Sequence, residues 1–256
     1  MRRARRTISP FGPRGYYLTR TTCLERDGFV PGALPRVHLV TPAIVERTVA
    51  RHGVRGILTN RERETLDAFA VERRRVDWLA GRVAAKRAVR RTLRDRGDDV
   101  PPLSAIDVWN DATGAPRFAV AARPELSGEL SLSISHSNGT GLAAVADTRA
   151  SGTVGVDIEQ SARVSMALVS RVLSERERQR LAAGDSSPSP LALWTAKEAA
   201  LKAASHLCGA LRDIELSWVG VRCVGARVTR PGRAAHDIVV RHRTVGAYTV
   251  AIALCR

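Results

Sequence analysis

Short apolar or apolar–polar alternating runs recur at 37–40, 130–134, 141–146, 154–158, 238–240 and 248–254, and each predicts a strand. The runs at 130–134 and 141–146 predict a hairpin. Helical patterns open at two capping boxes, Thr59 with Glu62 and Ser174 with Glu177, where side chains satisfy N–H groups that the first helical turn leaves unpaired. Residues 78–86 and 194–202 continue as Ala-rich helix formers. Asp-Ser-Ser-Pro-Ser-Pro at 185–190 predicts a flexible loop.

The pattern repeats. Residues 58–66 (LTNRERETL) align with 173–181 (LSERERQRL) at an offset of 115. Trp78-Leu-Ala-Gly-Arg-Val-Ala-Ala-Lys86 aligns with Trp194-Thr-Ala-Lys-Glu-Ala-Ala-Leu-Lys202 at an offset of 116. An internal duplication is expected. The predicted fold is α+β: two similar α+β halves packed as a pseudo-dimer, with the active site in the cleft between them. The expected boundaries are a basic, flexible extension at 1–36, an N-terminal half at 37–150 and a C-terminal half at 151–256 that carries the acidic cluster discussed below.

Composition narrows the class. At 256 residues and 44% hydrophobic, the chain has enough apolar material for a real core. No apolar run approaches the roughly 18 residues of a membrane span, and the basic opening is not followed by a signal-peptide apolar stretch. Cys23, Cys208, Cys223 and Cys255 are scattered without a CxxC pair, as expected of free thiols in a cytoplasmic protein. The net charge of +16 favours anionic partners, which include nucleic acid as well as phosphorylated small molecules. The basic residues are spread along the chain with no DNA-reading motif. Only three of the 41 are lysines, Lys86, Lys197 and Lys202, and two of these fall in the most distinctive segment.

Gly155-Val-Asp157-Ile-Glu159 places two carboxylates on one face of a predicted strand, while Val156 and Ile158 point the other way. Converging acids repel unless a cation sits between them, and hard oxygen ligands suit magnesium. Taken alone, the pair reads more readily as exposed strand acids than as a metal site. On the 194–202 helix, spacing of four puts Trp194, Glu198 and Lys202 on one stripe. In the repeat alignment Arg82 stands where Glu198 does, so the third acid is special to the second half. Ser135-His136-Ser137 ends a strand in hydroxyls and an imidazole able to meet phosphate oxygens. Walker-A, dinucleotide and nucleophile-elbow patterns are absent.

In that order, Ser-Ile-Ser-His-Ser, Gly-Val-Asp-Ile-Glu and Trp-Thr-Ala-Lys-Glu-Ala-Ala-Leu-Lys resemble the three signatures of the 4′-phosphopantetheinyl transferases. The long, pseudo-dimeric kind that serves surfactin synthetase is the closer match. The resemblance implies transfer of phosphopantetheine from coenzyme A to a serine of an apo acyl or peptidyl carrier protein. It implies magnesium on Asp157, Glu159 and Glu198, with Glu198 and Lys202 as the catalytic pair. It further implies coenzyme A contacts from Ser135 at the ribose phosphate, from His136 and Lys202 at phosphates, and from Arg82 and Lys86 in the first-half motif. The family's Gly-Lys-Pro turn stands here as Gly114-Ala115-Pro116 with Arg117 behind it. Arg61, Arg63 and Arg73–Arg75 are the other candidates for the nucleotide phosphate. Residues 161–172 are expected to dock the carrier through Val164, Met166, Leu168 and Val169. A monomer without nucleic-acid or membrane partners is expected. The competing classes are a basic nucleic-acid-binding protein and a catalytically silent interaction domain.

Overall fold

The computed structural model describes residues 34–160, 166–183, 189–220, 223–228 and 236–255. Nearly all of the predicted N-terminal extension and most of the 185–190 loop lie outside these residues. In chain order the first half runs β1 (Arg36–Val40), α1 (Pro42–Ile57), α2 (Asn60–Asp67), α3 (Glu72–Arg96), β2 (Ile106–Asn110), β3 (Pro116–Val120), α4 (Leu126–Glu129), β4 (Leu130–Ser137), β5 (Thr140–Asp147) and α5 (Thr148–Ser151). The second runs β6 (Thr153–Gln160), α6 (Met166–Ser170), α7 (Glu175–Ala182), α8 (Pro190–Ala203), β7 (Ile214–Gly220), β8 (Cys223–Val228), β9 (His236–Val245) and β10 (Tyr248–Cys255). Leu34 packs against the core and Arg36 already belongs to β1, so the first half begins slightly earlier than residue 37.

The halves repeat one plan. A three-stranded antiparallel sheet, β1-β5-β4, has its counterpart in β6-β10-β9, and a long helix, α3 or α8, packs on each. Both capping boxes form: Thr59 and Ser174 accept the N3 N–H, and Glu62 and Glu177 reach back to the N-cap N–H. Each is worth about 1 kcal/mol locally. The same glutamates do more than cap. Glu62 Oε1 accepts Val108 N–H at 3.2 Å, and Glu177 Oε1 accepts Leu216 N–H at 2.8 Å. Each also pairs with a fully buried lysine, Lys86 at 2.5 Å and Lys197 at 2.8 Å. Lys86 donates to the carbonyls of Ile57 and Leu103, and Lys197 to those of Val172, Leu211 and Ile214. One polar knot is therefore built twice.

That knot corrects the second block of the repeat alignment. The offset is 115 between Glu62 and Glu177 but 111 between Lys86 and Lys197. Lys86 corresponds to Lys197, not to Lys202, and the first-half residue in the place of Glu198 is Arg87, not Arg82. A five-residue slip turns a helix by about 140°, enough to move a side chain from the cleft to the core. Ala-rich helices tolerate such a slip because alanine matches alanine at several offsets.

Two features break the symmetry. In the second half β8 pairs with β9, extending the sheet to five strands. In the first half β2 and β3 form a separate hairpin, and among the described residues β3 makes no ladder with β4. The other feature is the seam between the halves. Val37, Leu39, Leu142 and Ala144 share one apolar cluster with Val156, Ile158 and Val250. At its edge β4 meets β6 through side chains: the hydroxyls of Ser131, Ser133 and Ser135 accept the N–H groups of Val154, Val156 and Ile158 at 3.1, 3.0 and 3.4 Å. These are otherwise unpaired edge donors of β6. Among the described residues no helix is long and apolar enough to cross a membrane. Cys208 and Cys255 are buried, and neither forms a disulfide among the described residues.

Candidate active site

Strand β6 presents its acids to α8. Gly155 makes this approach close: a Cβ there would lie 2.0 Å from the Ala199 carbonyl oxygen and 2.4 Å from the Ala203 nitrogen. Ala196, Ala199, Ala200 and Ala203 are fully buried on the helix's inner face, so small residues on both sides let the elements touch. α8 begins where its sequence dictates, with Ser189 capping Ala192 N–H and Pro190 in the first turn. The stripe of Trp194, Glu198 and Lys202 then falls beside the acid strand.

Lys202 Nζ lies 2.7 Å from Asp157 Oδ1. Ser135 Oγ donates to the same oxygen at 2.7 Å. Asp157 is 3% exposed, and its Oδ2 is buried with no hydrogen-bond partner among the described residues. Glu159 is pushed up to about 7 by burial and by the Asp157 charge, with Glu198 adding to the push, while Lys202 and the Trp194 indole pull it down. Burial also raises Glu198; Asp157 adds to this and Lys202 opposes it. Among the described residues no set of three His, Cys, Asp or Glu side chains is gathered tightly enough to hold a metal ion as it stands. The donor chemistry nevertheless fits a hard cation. An orphaned buried carboxylate oxygen and two acids forced toward their neutral forms are both relieved by positive charge.

A pH test follows from Glu159. The unfolded chain releases this proton near 4.5, whereas the folded chain holds it to about 7. Stability from this group is therefore complete below 4.5 and lost as pH rises through about 7. A cation on the carboxylates reverses the loss, so magnesium should raise the melting temperature more at pH 8 than at pH 5.5. Equal increments at the two values would separate Glu159 from any cation.

A cavity of about 580 Å³ opens beside this centre, between the halves and against the unpaired β3–β4 gap. Its walls carry Arg82, Arg117, His136, Lys202 and His206, and no carboxylate among the described residues. Arg82 is buried, with its guanidinium 4.6 Å from the Trp78 ring centroid and Nη2 donating to Asn110 at 3.2 Å. Burial pulls its pKa down to about 10 against Glu62 and Asp107, so it stays cationic at neutral pH. At His136 desolvation, with Lys202 and Arg82, pulls the pKa down against Asp77, which favours the neutral imidazole. The Asn138–Gly139 turn that follows, with φ of 52 and 74, is a tight hairpin turn held by Asp77 Oδ1 on the Gly139 N–H.

The structure thus brings Asp157, Glu159, Glu198 and Lys202 to one face, with His136 and Arg82 along the adjoining cavity. It does not bring Lys86 or Ser135 to the ligand space. Lys86 is fully buried in its ion pair, and Ser135 is buried with its hydroxyl engaged by Asp157 and Ile158. Of the alternative phosphate holders only Arg117 lines the cavity, with the whole Gly114–Arg117 turn. Arg61 stacks on Trp109 and pairs with Asp107, Arg63 bonds Asn60, and Arg75 bonds the Leu66 carbonyl. In the expected docking segment Val169 is core, Leu168 is exposed, and Val164 lies outside the described residues. Asn110 and His206 were not read from the sequence, which offers no local signal for either. Trp78 appeared there only as a repeat landmark.

The family model of the 4′-phosphopantetheinyl transferase superfamily matches residues 153–253, the segment that carries the acids and α8. A holo-[acyl-carrier-protein] synthase of Lactococcus lactis is 33% identical over 85 residues, covering 33% of this chain and 69% of that protein. Among solved structures, a Bacillus anthracis holo-(acyl-carrier-protein) synthase in complex with CoA (3′,5′-ADP) is 27% identical, spanning 43% of this chain and 91% of its own, with a TM-score of 0.34. A Neisseria meningitidis holo-[acyl-carrier-protein] synthase gives 26%, 44%, 95% and 0.36 in the same order. On the strength of the Lactococcus relative and the family model, the chain belongs to the 4′-phosphopantetheinyl transferase superfamily.

Proposed function

We propose that this chain, as a transferase of the long pseudo-dimeric type, moves the 4′-phosphopantetheine group of coenzyme A to a serine of an apo acyl or peptidyl carrier protein and releases adenosine 3′,5′-bisphosphate. The observation that carries this is Lys202: it lines the arginine-bearing cavity and at the same time bonds Asp157 in the acidic cluster. A cavity with cationic walls suits a ligand with several phosphates. The acids beside it are the complement of a divalent ion shared with such a ligand. A single chain supplies both walls of the cleft, so a monomer is the working unit, in the cytoplasm.

Asp157, Glu159 and Glu198 would hold magnesium, with Asp157 Oδ2 and the proton-retaining Glu159 as the groups that most need it. When bound, the ion supplies charge neutralisation at the coenzyme A pyrophosphate. The Lys202 ammonium adds positive charge from the cavity side, and neutral His136 donates a hydrogen bond. Glu198, directly or through a water, takes the proton of the carrier serine. The serine oxygen bonds to the phosphorus nearest the pantetheine. The bridging P–O bond breaks toward the nucleotide, which leaves as the bisphosphate.

Intact-mass analysis of a panel of apo carriers incubated with protein, coenzyme A and magnesium tests this. At least one carrier should gain a phosphopantetheine, and Glu198→Gln should slow that gain by roughly 10²- to 10⁴-fold with little change in coenzyme A binding. Salt-sensitive DNA binding without any carrier modification would point instead to a polyanion-binding protein.

A further inference from the structure

Leu130-Ser-Leu-Ser-Ile-Ser135 alternates apolar and hydroxyl side chains at the period of a strand. All three hydroxyls face β6 and accept its edge N–H groups, so the two halves are joined by side chains where two strands of one sheet would be joined by backbone. The third differs from the others. Ser135 Oγ accepts the Ile158 N–H and donates its proton to Asp157 Oδ1, on the residue just before. The same oxygen receives Lys202 from α8. Asp157 Oδ1 is thus held from the first half and from the second at once. A carboxylate fixed through one oxygen on two sides cannot swing, and the other oxygen, Oδ2, is left buried and without a partner among the described residues. An unpaired buried carboxylate oxygen is costly unless a ligand completes it.

We infer that Ser135 is a positioning residue: across the seam it fixes the Asp157 carboxylate so that Oδ2 is presented to the cation. Registry of the two halves and readiness of the cation ligand are then a single structural condition. A contact between Ser135 and the ribose phosphate of coenzyme A would need the same hydroxyl proton, which Asp157 already takes. The inference rests on the transferase reading above and refines how its acidic cluster is held.

Calorimetry separates the two. Magnesium is titrated into protein saturated with coenzyme A, and coenzyme A is titrated separately into metal-free protein. Ser135→Ala should weaken magnesium roughly tenfold or more, the usual loss when the partner of a metal ligand is removed. Its coenzyme A affinity without metal should be unchanged. Ser133→Ala loses the same kind of seam bond but touches no acid. It should lower the melting temperature and leave magnesium affinity alone. Ser135→Thr keeps the hydroxyl and should recover the cation affinity lost in the alanine variant. Unchanged magnesium binding in Ser135→Ala overturns the positioning role, as does a loss confined to coenzyme A. A parent protein that binds no coenzyme A at all would instead overturn the transferase reading.

Discussion

Asp157→Asn is expected to fold normally and to lose carrier modification by about 10²- to 10³-fold or more, the range seen when one preorganised stabiliser of developing charge is removed. The reason lies in the three roles that converge on this side chain. Its Oδ1 accepts from Ser135 and Lys202 at 2.7 Å each, and an amide oxygen can still accept both. Its Oδ2 is buried without a partner among the described residues, and there the amide puts an NH₂ group where a cation would sit. Its charge also raises both Glu159 and Glu198, so removing it relieves repulsion between the acids. Lys202 loses its counter-charge but is 31% exposed and can turn to water. The net effect on stability is therefore small while the electrostatics of the site collapse. Intact-mass rates at saturating coenzyme A, with melting curves as the control for folding, read the two separately. Parent-like rates at ordinary magnesium would show that these carboxylates are not a metal site.

What the sequence revealed follows the range of the interactions involved. The capping boxes at Thr59 and Ser174 and the strands around 37–40, 130–134 and 154–158 formed as read, because each is decided within a few residues. The Trp194–Glu198–Lys202 stripe was legible because helical geometry fixes it. Gly155 marks the close approach of α8, but only the packing shows that the Ala199 carbonyl fills the space a side chain would take. Three things depended on contacts between distant segments. Lys86 looked like the twin of Lys202 because alanines matched on either side of it, yet its fate is set by Ile57, Glu62 and Leu103, which lie in other elements. Ser135 read as a ligand contact because its neighbours are polar, and only the meeting of β4 with β6 turns it toward Asp157. The absence of a β3–β4 ladder among the described residues, where the cavity opens, has no local signature, and β3 itself is not among the runs that predict strands.

Lys86→Met should destabilise the protein by about 3–5 kcal/mol, the usual cost of stranding one member of a buried ion pair. Against a total of about 5–15 kcal/mol for a folded domain, that is enough to populate unfolded chains at ordinary temperature. Methionine fills a similar volume, so the loss is electrostatic. Glu62, 1% exposed, is left as an unpaired buried charge, and the carbonyls of Ile57 and Leu103 lose their donor. Adding Glu62→Gln should recover part of the stability. The amide carries no charge, and its oxygen can still accept the N–H of Val108 or of Thr59. Coenzyme A affinity, measured where the variant is folded, should match the parent, because the Lys86 ammonium never reaches the cleft. The duplicated knot makes the same forecast for Lys197→Met, whose partner Glu177 is fully buried. Urea unfolding of both single variants and of the Lys86–Glu62 pair measures the loss and the recovery. A Lys86→Met variant with the parent's unfolding midpoint and weakened coenzyme A binding would return Lys86 to the ligand, and with it the original alignment of the two halves.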